Sequence, residues 1–106
     1  MCRLQHVAIL VNDIYRYKSI FESIGMTIKR TGGQGSSRQI WFNEGIQLIE
    51  CSCETEGMTI DHVAIESTNI NETINNATQN GCKAHPKGDN WVVLPNDLLI
   101  ELVNQE

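Results

Sequence analysis

The tetrapeptide His-Val-Ala-Ile occurs twice in this chain, at residues 6–9 and 62–65, and Leu-Ile-Glu also occurs twice, ending at Glu50 and Glu101. A duplication of this size restricts the fold to two copies of one supersecondary unit that share a common architecture. An offset of 56 carries His6 to His62, Asn12-Asp13-Ile14 to Thr68-Asn69-Ile70, and Gly25 to Gly81. At the terminal Leu-Ile-Glu the offset is 51, which places five extra residues in the first copy. The Gly-rich stretch from Thr31 to Ser37 is the natural place for them, because its composition is that of a loop.

Within each copy the pattern reads βαβββ. The runs Leu4–Val11 and Ile60–Ile65 alternate and are rich in β-branched residues, as strands are. Ile14, Tyr17, Phe21 and Ile24 then recur at spacings of three and four, lining one face of a helix capped by Asn12 or Asp13 and closed by Gly25. The second helix runs from Ile70 to about Gln79, with Asn69 and Glu72 set as a capping box. Three short strands complete each copy: 26–29, 39–43 and 46–51 in the first, 82–85, 91–94 and 98–103 in the second. The expected fold class is α+β, one domain over residues 1–106. Module one would span 1–56 and module two 57–106, forming a half-barrel sheet with the helices outside.

Alternation along the strands then selects the residues that face away from the helices. With Val7 and Ile9 against the helix, His6, Ala8 and Leu10 take the other face, and His62 and Ala64 follow by the repeat. With Ile49 and Ile100 toward the helices, Glu50 and Glu101 also turn inward. Two carboxylates brought together away from water repel unless protonated or bound to a cation. A His2Glu2 set suits a divalent metal such as Ni, Co, Zn, Mn or Fe, with positions left for water or a substrate oxygen. The competing reading has the histidines satisfied within the fold and the glutamates solvated in an open cleft. Trp41, Phe42 and Trp91 are candidates for an apolar pocket wall, with core packing as their alternative role.

The formal charge of −5 and the absence of a Lys/Arg-rich run argue against a nucleic-acid partner. No apolar run approaches the roughly 20 residues of a membrane span, and the N-terminus enters a strand pattern without a secretory signal, so a cytoplasmic protein is expected. Cys2, Cys51, Cys53 and Cys82 contain no C-x-x-C pair and are expected to be reduced.

Taken together, the doubled unit, His-Val-Ala-Ile opening each half, Asn-Asp-Ile leading a helix that ends in Ile-Gly-Met, and Leu-Ile-Glu closing each half resemble the vicinal-oxygen-chelate superfamily. That superfamily includes glyoxalase I, epimerases, extradiol dioxygenases and antibiotic-resistance proteins. The resemblance implies metal ligands at His6, Glu50, His62 and Glu101, with Glu101 or Glu50 as the group that moves a proton. The segment Leu94-Pro-Asn-Asp-Leu-Leu-Ile-Glu101 departs from the superfamily's Asp-Pro-x-Gly run. Leu10 and Glu54 stand where bacterial glyoxalase I has glutathione-binding arginine and asparagine, which makes glutathione a poor partner. Leu10 would instead contribute to the substrate pocket. The resemblance implies a lyase, isomerase or epimerase acting on an oxygen-chelating small molecule, and a homodimer. The alternatives are a metal-free small-molecule binder and a ring-cleaving dioxygenase.

Overall fold

The computed structural model describes residues 2–35, 37–52 and 59–104. Its elements run β1 (Cys2–Val11), α1 (Ile14–Ser23), β2 (Ile28–Gly32), β3 (Gln39–Phe42), β4 (Ile46–Glu50), β5 (Thr59–Ser67), α2 (Ile70–Gln79), β6 (Lys83–His85), β7 (Gly88–Val93) and β8 (Leu99–Asn104). The fold class is the expected α+β one, a βαβββ unit twice over. Two compact units result, residues 6–61 and residues 62–106 joined by residues 1–5. The expected module boundary between residues 56 and 57 lies outside the described residues, as do Cys53 and Glu54.

In the first unit the strand order is β2-β3-β4-β1, with β1 and β4 parallel and the other pairs antiparallel. Helix α1 begins where Asp13 accepts a hydrogen bond from the Arg16 amide at 3.2 Å, satisfying one of the free N–H groups of the first turn. Its apolar stripe of Ile14, Tyr17 and Phe21 packs on Val11, Ile40, Phe42 and Leu48. Leu48 is fully buried, a contribution of about 2–3 kcal/mol relative to exposure. Ile24, assigned to that stripe by its spacing, is instead the exposed C-cap, because the helix ends one residue earlier. Gly25 follows with φ 105°, a conformation that a side chain would strain.

The second unit repeats this plan with the order β5-β8-β7-β6 and a parallel β5–β8 pair. Asn69 caps α2 by accepting from the Glu72 amide at 3.1 Å. Its core gathers Val92, Ile100 and Leu102 against Val63, Ile65, Ile70 and Ile74. Arg3 belongs to this unit and pairs with the buried Glu66 at 2.7 Å. Among the described residues no helix is long and apolar enough to cross a membrane. Cys2 and Cys82 are free thiols, whereas the Cys51 sulfur is in a disulfide, against the expectation of reduced cysteines. That expectation rested on the cellular compartment, which does not decide whether two particular sulfurs can meet.

Candidate metal centre

Strand register decides which side chains share a face. In the second unit, β5 and β8 pair with His62 opposite Leu99, Ala64 opposite Glu101 and Glu66 opposite Val103. Val63 and Ile65 belong to the helix-side core, so His62, Ala64 and Glu66 take the other face together with Glu101. On β7, Trp91 lies opposite Glu101 and joins the same face.

His62 is buried, and its Nε2 lies 3.7 Å from a Glu101 carboxylate oxygen, longer than a hydrogen bond. Two ligands of one cation at about 2.0–2.2 Å each stand about 3–3.5 Å apart, so the pair is close to the spacing that a shared ion would impose. The imidazole ring is held edge-on by Trp91, with centroids 4.9 Å apart and planes at 76°. Lys87 Nζ sits 4.3 Å from the centroid of the same indole. An imidazole beside a carboxylate is the donor chemistry of Zn, Fe, Mn, Co or Ni sites.

In the first unit the register gives a different answer from the repeated Leu-Ile-Glu. Strands β1 and β4 pair with Ala8 opposite Gln47 and Val11 opposite Glu50. Trp41 on β3 is also opposite Gln47. Ala8, Gln47 and Trp41 therefore match Ala64, Glu101 and Trp91 position for position, and the residue equivalent to Glu101 is Gln47. Glu50 lies three residues further along β4, on the face of the core residue Leu48. This corrects the inward placement of Glu50.

The cause is loop length. An offset of 56 relates Ala8 to Ala64, but 50 relates Trp41 to Trp91 and 54 relates Gln47 to Glu101. The Gly-rich loop thus lengthens the first copy by more than was expected. The hairpin after β7, closed by Leu94 and Leu98, restores part of the difference. Gln47 is buried, and its Nε2 donates to Gln39 Oε1 at 2.9 Å. Glu50 is tied elsewhere: its carboxylate lies 3.3 Å from Arg38 Nε, and its amide donates to the Arg38 carbonyl at 2.8 Å.

His6 and Leu10 share the face of Ala8, as expected. Both are half-buried. Phe42 is 3% exposed within the helix-side core, 5.7 Å from Phe21 between centroids, and lines no pocket on the Gln47 face. Alternation required this, since Phe42 follows Trp41 on the same strand. Trp41 is half-buried with the Arg30 guanidinium 4.1 Å from its ring centroid. Gln47, Glu66 and Arg3 were missed by sequence reasoning. For Gln47 the sequence holds a signal: it is the one polar residue in the run Ile46-Gln47-Leu48-Ile49.

Neither a protein-family model nor a curated protein matches the sequence. Solved structures do. A variant of Streptomyces coelicolor methylmalonyl-CoA epimerase in complex with 2-nitronate-propionyl-CoA superposes with a TM-score of 0.69 at 18% identity, covering 97% of this chain and 96% of the epimerase. The Mycobacterium tuberculosis methylmalonyl-CoA epimerase gives 0.67 at 19% identity, over 97% of this chain and 87% of that one. A halotolerant catechol dioxygenase gives 0.68 at 13% identity, over 93% of this chain but 39% of that one. The chain has the vicinal-oxygen-chelate fold.

Proposed function

We propose that this protein is a metal-dependent isomerase or epimerase of the vicinal-oxygen-chelate type, with His6, His62 and Glu101 as ligands of one divalent cation. Gln47, at the matching position of the first module, would be the neutral counterpart of Glu101. The observation that carries the reading is the His62–Glu101 pair, 3.7 Å apart on one face, together with the matching register of Gln47 and Glu101 in the two modules. When bound, the cation would supply Lewis acidity toward a substrate oxygen, stabilising negative charge that develops as a neighbouring carbon loses its proton.

The chain's own residues have separable tasks. Trp91 fixes the imidazole plane of His62 and covers it from water. Glu101 is the carboxylate that takes and returns the proton at the carbon next to the chelating oxygen, since it is the acidic group beside His62. Leu10, half-buried on the Ala8 face, offers an apolar contact to the substrate body. Glu50 is held on another face by Arg38 and takes no part. Epimerases among the similar structures support proton transfer over other chemistries.

One observation favours a second reading. With Gln47 in place of a glutamate, two histidines and one carboxylate remain, the set of non-haem iron oxygenases. Elemental analysis of untagged protein, followed by hydrogen–deuterium exchange of α-protons in small acyl thioesters and 2-oxo acids, separates the two. Exchange that needs Glu101 and a non-iron metal supports the isomerase. Iron with oxygen uptake on catechols supports the oxygenase. Full exchange by His62→Ala, or wild-type metal content in that variant, would overturn both.

A further inference from the structure

A cavity of about 390 Å3 opens between the first turns of α1 and the Gly32 end of β2 and β3, and neither His6, Leu10, Trp41 nor Gln47 lines it. Its volume falls in the range of small-molecule sites. Ile14, Ile40 and the ring of Tyr15 give it an apolar side. Lys18 and Arg38 give it two cations, Thr31 and Gln39 are neutral, and no Asp or Glu lines it. Both cations have a carboxylate partner outside the lining, Glu22 for Lys18 at 2.9 Å and Glu50 for Arg38 at 3.3 Å, so the cavity offers N–H donors rather than uncompensated charge.

We propose that this cavity is a second ligand site, separate from the candidate metal centre, for a small monocarboxylate with an aromatic or compact apolar body. The wall is built rather than incidental. Arg38 donates from Nη1 to the Tyr15 hydroxyl and from Nε to the Gly35 carbonyl at 2.8 Å, which pins the glycine loop and sets the guanidinium at the cavity rim. Gly33 takes φ +78°, and a Cβ there would lie 2.0 Å from the Ser37 carbonyl oxygen, so the loop can close only with glycine. Lys18 is held by Glu22 at 2.9 Å, an exposed i,i+4 pair of the kind a ligand carboxylate displaces at little cost. The apolar side receives the ligand body while Lys18 and the remaining guanidinium N–H groups take the carboxylate, a charge-assisted contact stronger than one to a neutral group. The ligand body determines fit and the charge determines selection.

The test is a titration of the full chain with benzoate, followed by amide nitrogen–proton correlation spectra with a chelator present so that no bound metal competes for the carboxylate. Saturable shifts at residues 14–18 and 31–33, with Trp91 unmoved, are expected. Benzyl alcohol should bind about tenfold more weakly, and Lys18→Met should lose about fivefold. Lys18→Glu, a change at a half-buried position outside the core cluster, should abolish the saturable shifts. Equal binding of benzyl alcohol, unchanged affinity in both Lys18 variants, or shifts that never saturate would overturn the proposal.

Discussion

Exchanging the two glutamates of the repeated Leu-Ile-Glu for neutral residues distinguishes strand register from sequence repeat as the guide to the proposed metal site. Glu101 lies opposite Ala64 and Trp91 and 3.7 Å from His62, whereas Glu50 lies opposite Val11 and against Arg38. Loss of a group that merely orients a ligand costs about 10–100-fold in metal affinity, so loss of the ligand itself in Glu101→Ala should cost at least about 100-fold, or about 2.7 kcal/mol. Glu50→Gln should leave affinity within about threefold. It breaks a partly exposed ion pair worth under about 1 kcal/mol, lowering Tm by a few degrees in a domain of this size. Competition between protein and a chromophoric chelator for cobalt or zinc measures both affinities, and thermal melts report the stability change. Equal losses of affinity in the two variants would refute the register argument. A larger loss for Glu50→Gln would restore the reading by repeat.

Three further outcomes are expected of the loop, of Glu44 and of the sheet edges. Gly33→Ala places a Cβ 2.0 Å from the Ser37 carbonyl at positive φ and should cost about 2 kcal/mol or more, while Gly35→Ala, with open space around it, should cost about 1 kcal/mol; urea melts that rank them the other way would contradict the loop geometry. The backbone N–H and then the hydroxyl of Thr27 donate to the Glu44 carboxylate and hold its pKa below the ordinary value of 4.5, so the stability it adds is present above that value and lost as pH falls through the lower folded one. Glu44→Gln should therefore lower Tm at neutral pH, and the difference should close in acid; a gap that widens in acid would reverse the sign. Strands β2 and β6 end their sheet orders, and we propose that a second copy covers such an edge; light scattering should give about twice the monomer mass of 11.9 kDa, and monomer at micromolar concentration would exclude it.

How much of this was legible beforehand depends on which physical signal each feature leaves in a sequence. The βαβββ duplication was legible because strand and helix periodicities are local: Val7 and Ile9 alternate, and Ile14, Tyr17 and Phe21 recur at helical spacing, whatever the rest of the chain does. The caps were legible for the same reason, since Asp13 and Asn69 act on amides three residues away. The strand faces taken by His6, His62 and Glu101 follow from alternation within single strands. Glu50 did not, because the partner of a strand residue is set by the loops on either side, and loop conformation is not written in periodicity.

The first copy gains residues before β3, whereas the second gains residues in the hairpin after β7, and the two changes offset one another incompletely. A repeated tripeptide then lands three residues out of structural register, turning its glutamate to the other face. The amide at Gln47 survives burial through its bond to Gln39, a neutral arrangement that leaves Glu101 as the only carboxylate of the two matched positions. A single negative ligand with two imidazoles leaves more charge on a bound cation than two carboxylates would. In the proposed site such a cation would polarise a substrate oxygen more strongly, which is what the proposed proton transfer needs. Register, and not the repeated letters, therefore sets which residue of the first module matches Glu101, and with it the charge of the proposed ligand set.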